Sequence, residues 1–148
     1  MRRISREQVY FKIAKAFSER SSCGRLNVGC VAVMDGRVIC TGYNGALKNN
    51  RSKHCSEYDL NKCNCDLSKP CEKSIHAEAN LIAFSARNGI SLNGSELYIT
   101  HSPCKKCSEL IIQSGIKAVY YLDEFRDTEG ISFLSENKVK VLKLNGKE

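Results

Sequence analysis

A layered α/β domain around one mixed sheet is the fold class this sequence predicts, and three observations predict it. Five short apolar runs of strand length occur, at residues 28–34, 38–43, 96–100, 118–122 and 139–144. Segments with helical spacing precede the first of them and stand between the later ones, the pattern of an α/β domain. The first two runs flank Asp35-Gly36, a hairpin signal, whereas the later ones are joined through helices. A hairpin pairs antiparallel and crossover helices allow parallel pairing, so the sheet is mixed.

In chain order, Val9, Ile13, Ala16 and Phe17 recur at helical spacing and predict an amphipathic helix over residues 6–20. The hairpin strands follow. Residues 44–73 have little apolar periodicity and hold Cys55, Cys63, Cys65 and Cys71. A loop of that length in a small domain needs something to tie it down. Ser74 is placed to cap a helix over residues 75–87, which ends near Asn88-Gly89. After the strand at 96–100, Leu110, Ile111 and Ile112 lie in a helix over 104–114 that Gly115 closes. The strand at 118–122, a weaker helix over 128–136 and the strand at 139–144 complete the chain. No repeat or linker divides it, so one domain over 1–148 is expected, with a cysteine-rich insertion at about 46–73.

The 148 residues are 42% hydrophobic, enough for one packed core. No apolar stretch is long enough to span a bilayer, and residues 1–8 are basic and polar with no apolar signal region behind them. A soluble, cytoplasmic protein is expected. The nine cysteines are odd in number and come without an export signal, which favours metal binding over disulfides. Lys and Arg number 23 against 16 Asp and Glu, a net charge of +7. That balance suits a phosphorylated ligand or a nucleic acid, a mixed-charge surface being the plainer reading. The positive charge is scattered and Trp is absent, so no base-stacking platform is advertised and nucleic acid is not the expected partner.

Two fragments carry chemistry: His76-Ala77-Glu78 and Pro103-Cys104-Lys105-Lys106-Cys107. Each sits at or just before a predicted helix start, where unpaired N–H groups and the helix dipole favour negative charge. Cys104 and Cys107 are three apart, so both thiols face one side of their helix, and a thiol at a helix N-terminus ionises more readily. One His and two Cys give a tetrahedral zinc three protein ligands and leave a fourth position open, as catalytic sites require. Glu78, two residues from His76, is then not needed as a ligand and can move protons instead. A C-x-x-C pair alone is often a structural corner, but a structural zinc has no use for Glu78. The combination H-x-E…P-C-x-x-C resembles the signature of zinc nucleobase deaminases, in which hydroxide attacks the ring carbon bearing the amino group and ammonia leaves.

The resemblance extends further. Ser22-Cys23-Gly24-Arg25-Leu26-Asn27-Val28-Gly29, Gly42-Tyr43-Asn44-Gly45, Ile75-His76-Ala77-Glu78-Ala79-Asn80 and Ser102-Pro103-Cys104-Lys105-Lys106-Cys107 occur in that order. Together, over residues from about 10 to 126, they resemble the deoxycytidylate (dCMP) deaminase family. The resemblance implies a cytidine-deaminase-like three-layer α/β/α domain around a five-stranded mixed sheet. It implies conversion of dCMP to dUMP, which feeds thymidylate synthesis, with His76, Cys104 and Cys107 on a catalytic zinc and Glu78 as the catalytic proton shuttle. dCTP, or a base in tRNA or single-stranded DNA, is the alternative substrate. Asn44 would help to hold the sugar, and Val28 and Gly29 would line the base pocket, together with Ala77, Ser102 and Pro103. Gly42 and Tyr43 would contact a dCTP or dTTP effector, with Arg87 tied to that regulation, an ordinary strand-ending turn being the alternative. An oligomer, dimer or hexamer, is implied as well.

Arg25 is the candidate for the 5′-phosphate, since a guanidinium matches phosphate geometry, a surface arginine being the alternative. The chain departs from the family in having Phe125 where a tyrosine is usual, and Tyr121 is the candidate to compensate. By resemblance, Cys23, Cys55, Cys65 and Cys71 would hold a second, structural zinc, with Cys63 as the alternate to Cys65 and free thiols as the plain alternative. Four thiolates close a zinc site and would tie down the insertion. Cys30 and Cys40 lie inside apolar strands and read as small core residues.

Overall fold

The computed structural model describes residues 1–49, 51–52, 55–56, 60–63, 66–69 and 71–145, with the backbone alone at 51–52 and 55–56. Helix α1 (Arg6–Ser18) opens with a capping box. Ser5 Oγ accepts the Gln8 N–H at 3.2 Å, and Gln8 Oε1 accepts the Ser5 N–H at 2.8 Å. Strands β1 (Gly29–Met34) and β2 (Arg37–Tyr43) form the hairpin. Its two turn residues, Asp35 and Gly36, have φ of 50° and 75°, the left-handed pair that a two-residue turn between twisted strands requires. Four two-residue strands follow: β3 (Gly45–Ala46), β4 (Arg51–Ser52), β5 (Cys55–Ser56) and β6 (Ser74–Ile75). Then come α2 (Ala77–Arg87), β7 (Glu96–His101), α3 (Lys105–Gln113), β8 (Ala118–Asp123), α4 (Glu129–Glu136) and β9 (Lys140–Lys143).

The main sheet has five strands in the order β2-β1-β7-β8-β9. β1 pairs antiparallel with both β2 and β7, while β7, β8 and β9 run parallel. The sheet is mixed, as expected. β3 pairs with β6 and β4 with β5 as separate two-stranded ribbons.

Side-chain alternation along the central strands builds one core on each face of the sheet. Cys30, Ala32, Leu97, Ile99, Val119 and Tyr121 face α2, α3 and α4, where they meet Ala77, Leu81, Ile111 and Leu134. Val31, Val33, Tyr98 and Leu122 face the other way, onto Tyr10, Phe11 and Ala14 of α1. Three layers result: one helix, the sheet, three helices. Cys30 and Cys40 belong to the core, as expected.

Two boundaries differ from the sequence reading for physical reasons. Ser74 does not cap α2; it pairs with Ala46 in the β3–β6 ribbon, and His76 is the N-cap. Val28 lies before β1, in a loop whose N–H donates to Asn44 Oδ1 at 2.8 Å rather than to a neighbouring strand.

Candidate metal centre and active site

Two helices begin at the same corner of the sheet. His76 is the N-cap of α2 and Cys104 the N-cap of α3, and neither uses its side chain to cap its helix. Both side chains are therefore free to turn toward each other. His76 Nδ1 lies 3.6 Å from Cys104 Sγ and 3.4 Å from Cys107 Sγ. All three candidate ligand atoms lie within 4.8 Å of one another, and they form the one His/Cys/Asp/Glu cluster of that kind among the described residues. A tetrahedral zinc with Zn–S of about 2.3 Å and Zn–N of about 2.0 Å spaces sulfur and nitrogen ligands about 3.5 Å apart. The residues present fit the ion.

Glu78 stands in the first turn of α2 and is 4% exposed. Burial pushes its carboxyl up to about 7. Hydrogen bonds from Cys107 and then His76 pull the Cys104 thiol down to about 4. The same contact with Cys104, together with burial, pushes Cys107 up, and contact with Cys104 raises His76.

A cavity of about 290 Å³ opens onto this cluster. His76, Ala77, Glu78 and Cys104 form its chemical end, and Arg25, Val28, Asn44, Ser102 and Phe125 line the rest. A proton-accepting carboxyl, a three-ligand metal corner and a guanidinium therefore share one pocket of nucleotide scale.

Residues 4–123 match the cytidine and deoxycytidylate deaminase zinc-binding region. The chain belongs to that family.

Among individual proteins, ComE operon protein 2 of Bacillus subtilis is 38% identical over 126 residues, covering 85% of this chain and 64% of its own length. Deoxycytidylate deaminase of Saccharomyces cerevisiae is 33% identical over 153 residues, covering 97% of this chain and 44% of its own. The chain thus spans less than two thirds of the length of these two relatives. A solved structure of dCMP deaminase from the cyanophage S-TIM5, in complex with dCMP and dUMP, superposes with a TM-score of 0.84 at 34% identity. It covers 97% of this chain and 100% of that one.

Of the expected substrate residues, Arg25, Val28, Asn44, Ala77 and Ser102 line the cavity. Gly29, Pro103 and Tyr121 are not among the lining residues. Gly29 is a packing glycine: a Cβ there would overlap the Ala14 carbonyl oxygen and stand 2.7 Å from the Ser18 nitrogen, so α1 could not lie against β1. Tyr121 is 5% exposed in the core cluster with Val119 and Leu134. Asn44 works through its amide: Oδ1 accepts the Val28 N–H and Nδ2 donates to the Leu26 carbonyl at 2.7 Å. It shapes the loop that walls the pocket.

His101 lines the cavity and was not singled out from sequence. Its Nδ1 lies 3.0 Å from Thr100 Oγ1, which also accepts the Gly29 N–H at 3.2 Å. Burial lowers its pKa, which favours the neutral ring. Strand parity could have found it, since 97, 99 and 101 share the face that carries the site.

Of the expected second zinc ligands, Cys65 and the side chain of Cys55 lie outside the described residues. Cys23 and Cys71 both line the cavity that Glu78 and His76 also line. Cys63 is drawn to the same wall: its N–H donates to the Ser22 carbonyl at 2.7 Å, and Gly24 N–H reaches its sulfur at 3.3 Å. Of the expected effector residues, Tyr43 and Arg87 line a separate cavity of about 340 Å³ with Leu47, Lys48 and Phe84. Gly42 is not among its lining residues; a Cβ there would stand 2.8 Å from Leu81 Cβ, so the glycine lets β2 approach α2. No described helix is long and apolar enough to cross a membrane.

Proposed function

We propose that this chain, with zinc held by His76, Cys104 and Cys107, hydrolyses dCMP to dUMP and ammonia. The observation that carries the proposal is the placing of buried Glu78 beside the three-ligand cluster, in a cavity that Arg25 also lines. Zinc, when bound, supplies the Lewis acidity that makes water a nucleophile at neutral pH. Glu78 takes the proton that water gives up, passes it to the ring nitrogen, and then serves the departing amine. Its burial disfavours the ionised carboxylate, which suits a group that accepts and releases a proton in turn. Water and dCMP are consumed, dUMP and ammonia are formed, and the product suits thymidylate synthesis.

Arg25 is assigned to the 5′-phosphate. Phe125, which lines the same cavity, adds apolar wall where a tyrosine would add a hydroxyl. A second zinc held by cysteines of the insertion with Cys23, and effector binding at the Tyr43–Arg87 cavity, extend the proposal. The second cavity supports the effector reading because Lys48 and Arg87 offer cations to a triphosphate beside the apolar Leu47 and Phe84.

The test is turnover by zinc-replete protein of dCMP, dCTP and deoxycytidine, read as loss of cytosine absorbance, with and without dCTP or dTTP as effector. dCMP is expected to turn over fastest and deoxycytidine slowest. Equal rates for dCMP and deoxycytidine would remove the phosphate role of Arg25. Silence on all three with zinc bound would reject the proposed activity.

A further inference from the structure

Helix α4 carries none of the site residues, yet its first turn rests on the metal loop. Gly130, the second residue of α4, is buried against Pro103 and Cys104. A Cβ at Gly130 would overlap the Pro103 carbonyl oxygen and stand 2.8 Å from both the Cys104 carbonyl carbon and Ser108 Oγ. Gly130 has helical backbone and no positive φ, so space demands the glycine there, not conformation. Two of the three obstacles are backbone atoms, which cannot swing aside as a side-chain tip can.

Two further links tie the same helix turn to the start of α3. Ser108, fully buried, shares its hydroxyl hydrogen between the Cys104 carbonyl at 2.9 Å and the Gly130 carbonyl at 3.1 Å. Lys105 Nζ lies 3.0 Å from Glu129 Oε1. Behind them Leu134 anchors α4 in the core with Ile111 of α3. The contacts converge on residues 103–108, the turn that presents Cys104 and Cys107 to His76. Cys107 is 3% exposed, whereas Cys104 is half-buried at the helix cap. Its position depends more on what lies behind the loop.

We propose that α4 is a brace for the metal centre, with Gly130 and Ser108 as positioning residues that hold the Cys104 sulfur at ligand distance. The inference rests on the reading of His76, Cys104 and Cys107 as zinc ligands. Groups that orient a metal ligand from behind are worth about 10- to 100-fold in metal affinity. Replacing Gly130 by alanine pushes the Cys104 backbone away from α4, and replacing Ser108 by alanine removes the bridge without adding an atom.

The experiment compares wild type, G130A, S108A, C104A and V31A as metal-free full-length chains. Zinc affinity is read by competition with a chromophoric chelator, thiolate-to-metal absorption is read after cobalt(II) loading, and stability is read by urea unfolding of the metal-free protein. Val31 faces α1 on the opposite side of the sheet, so V31A matches a loss of stability without touching the brace. G130A is expected to bind zinc about tenfold or more weakly with an altered cobalt spectrum, S108A to weaken in the same direction, and V31A to bind as wild type. G130A and S108A both binding zinc within about twofold of wild type, with the wild-type cobalt spectrum, overturns the brace; S108A alone decides it if G130A does not fold. Wild type and C104A binding alike overturns the metal reading itself, and the brace with it.

Discussion

His76 Nδ1 lies 3.4 Å from Cys107 Sγ, although the two residues are 31 positions apart and strand β7 lies between them. The contact joins the first turns of two helices that start at one corner of the sheet. Without metal, that corner holds protons which zinc must displace. Hydrogen bonding to Cys104 and burial push the Cys107 thiol up, and contact with Cys104 raises His76. Zinc requires two thiolates and a neutral imidazole, so its uptake at pH 7 is expected to release protons, that of Cys107 foremost. Calorimetry in buffers of different ionisation enthalpy counts them. A count near zero would mean that the site is not assembled from these groups.

The raised carboxyl of Glu78 makes the metal-free protein pH-sensitive. Its folded value of about 7 stands above the ordinary 4.5, so between those values the folded state holds a proton that the unfolded chain has lost. The stability tied to that proton is fully present below 4.5 and is lost as pH rises through 7. Glu78→Gln cannot ionise. Metal-free Glu78→Gln is therefore expected to exceed metal-free wild type by up to about 3 kcal/mol at pH 8, with the gap closing toward pH 4. Urea unfolding at the two pH values measures it, and a gap independent of pH would contradict the burial of an ionised Glu78.

Asn44 spends its side chain on the Leu26–Val28 loop. Removing it leaves a part-buried N–H and a part-buried carbonyl without this partner, at a cost of about 1–2 kcal/mol. Asn44→Ala is expected to lose that stability and to raise the KM for dCMP, because the pocket wall loses its anchor. Chemical denaturation and steady-state kinetics on one preparation check both. Unchanged stability with a raised KM would instead make Asn44 a direct sugar ligand alone.

Gly42 and Gly89 separate two reasons for glycine. Gly42→Ala places a methyl group against the backbone of α2, the helix that carries His76 and Glu78, and is expected to cost about 1–3 kcal/mol and to depress turnover. Gly89, with φ of 67° and nothing within 4 Å of a built Cβ, meets only the left-handed penalty. Gly89→Ala is expected to cost about 1–2 kcal/mol and to leave kcat intact. Equal effects on kcat would show that β2–α2 spacing does not govern the site.

The elements that repeat with a clear period were legible in the sequence: five main strands, four helices and their order match the structure. Short spacings at predicted helix starts paired His76 with Glu78 and Cys104 with Cys107, and the resemblance to the deaminase signature joined the two pairs. Ser74 misled because capping propensity is local, whereas its pairing with Ala46 across the insertion is not. Tyr121, the candidate to compensate for Phe125, packs with Val119 in the core cluster and is not among the residues lining the cavity. Gly29 and Gly42 read as motif glycines, but their need comes from helices that pack on them, which no local pattern reveals. His101 escaped notice as a lone histidine, although the alternation through Leu97 and Ile99 aims it at the site.

The central claim is that zinc at His76, Cys104 and Cys107, with Glu78 as proton carrier, deaminates dCMP. The most direct measurement follows dUMP and ammonia formation from dCMP by wild type and Glu78→Gln, each stripped of metal and then reloaded with zinc. Stripped wild type is expected to be inactive and to recover with zinc. Zinc-loaded Glu78→Gln is expected to bind the metal as tightly but to lose roughly 10²-fold or more in turnover. Wild-type rates in zinc-loaded Glu78→Gln, or undiminished turnover by stripped wild type, would contradict it.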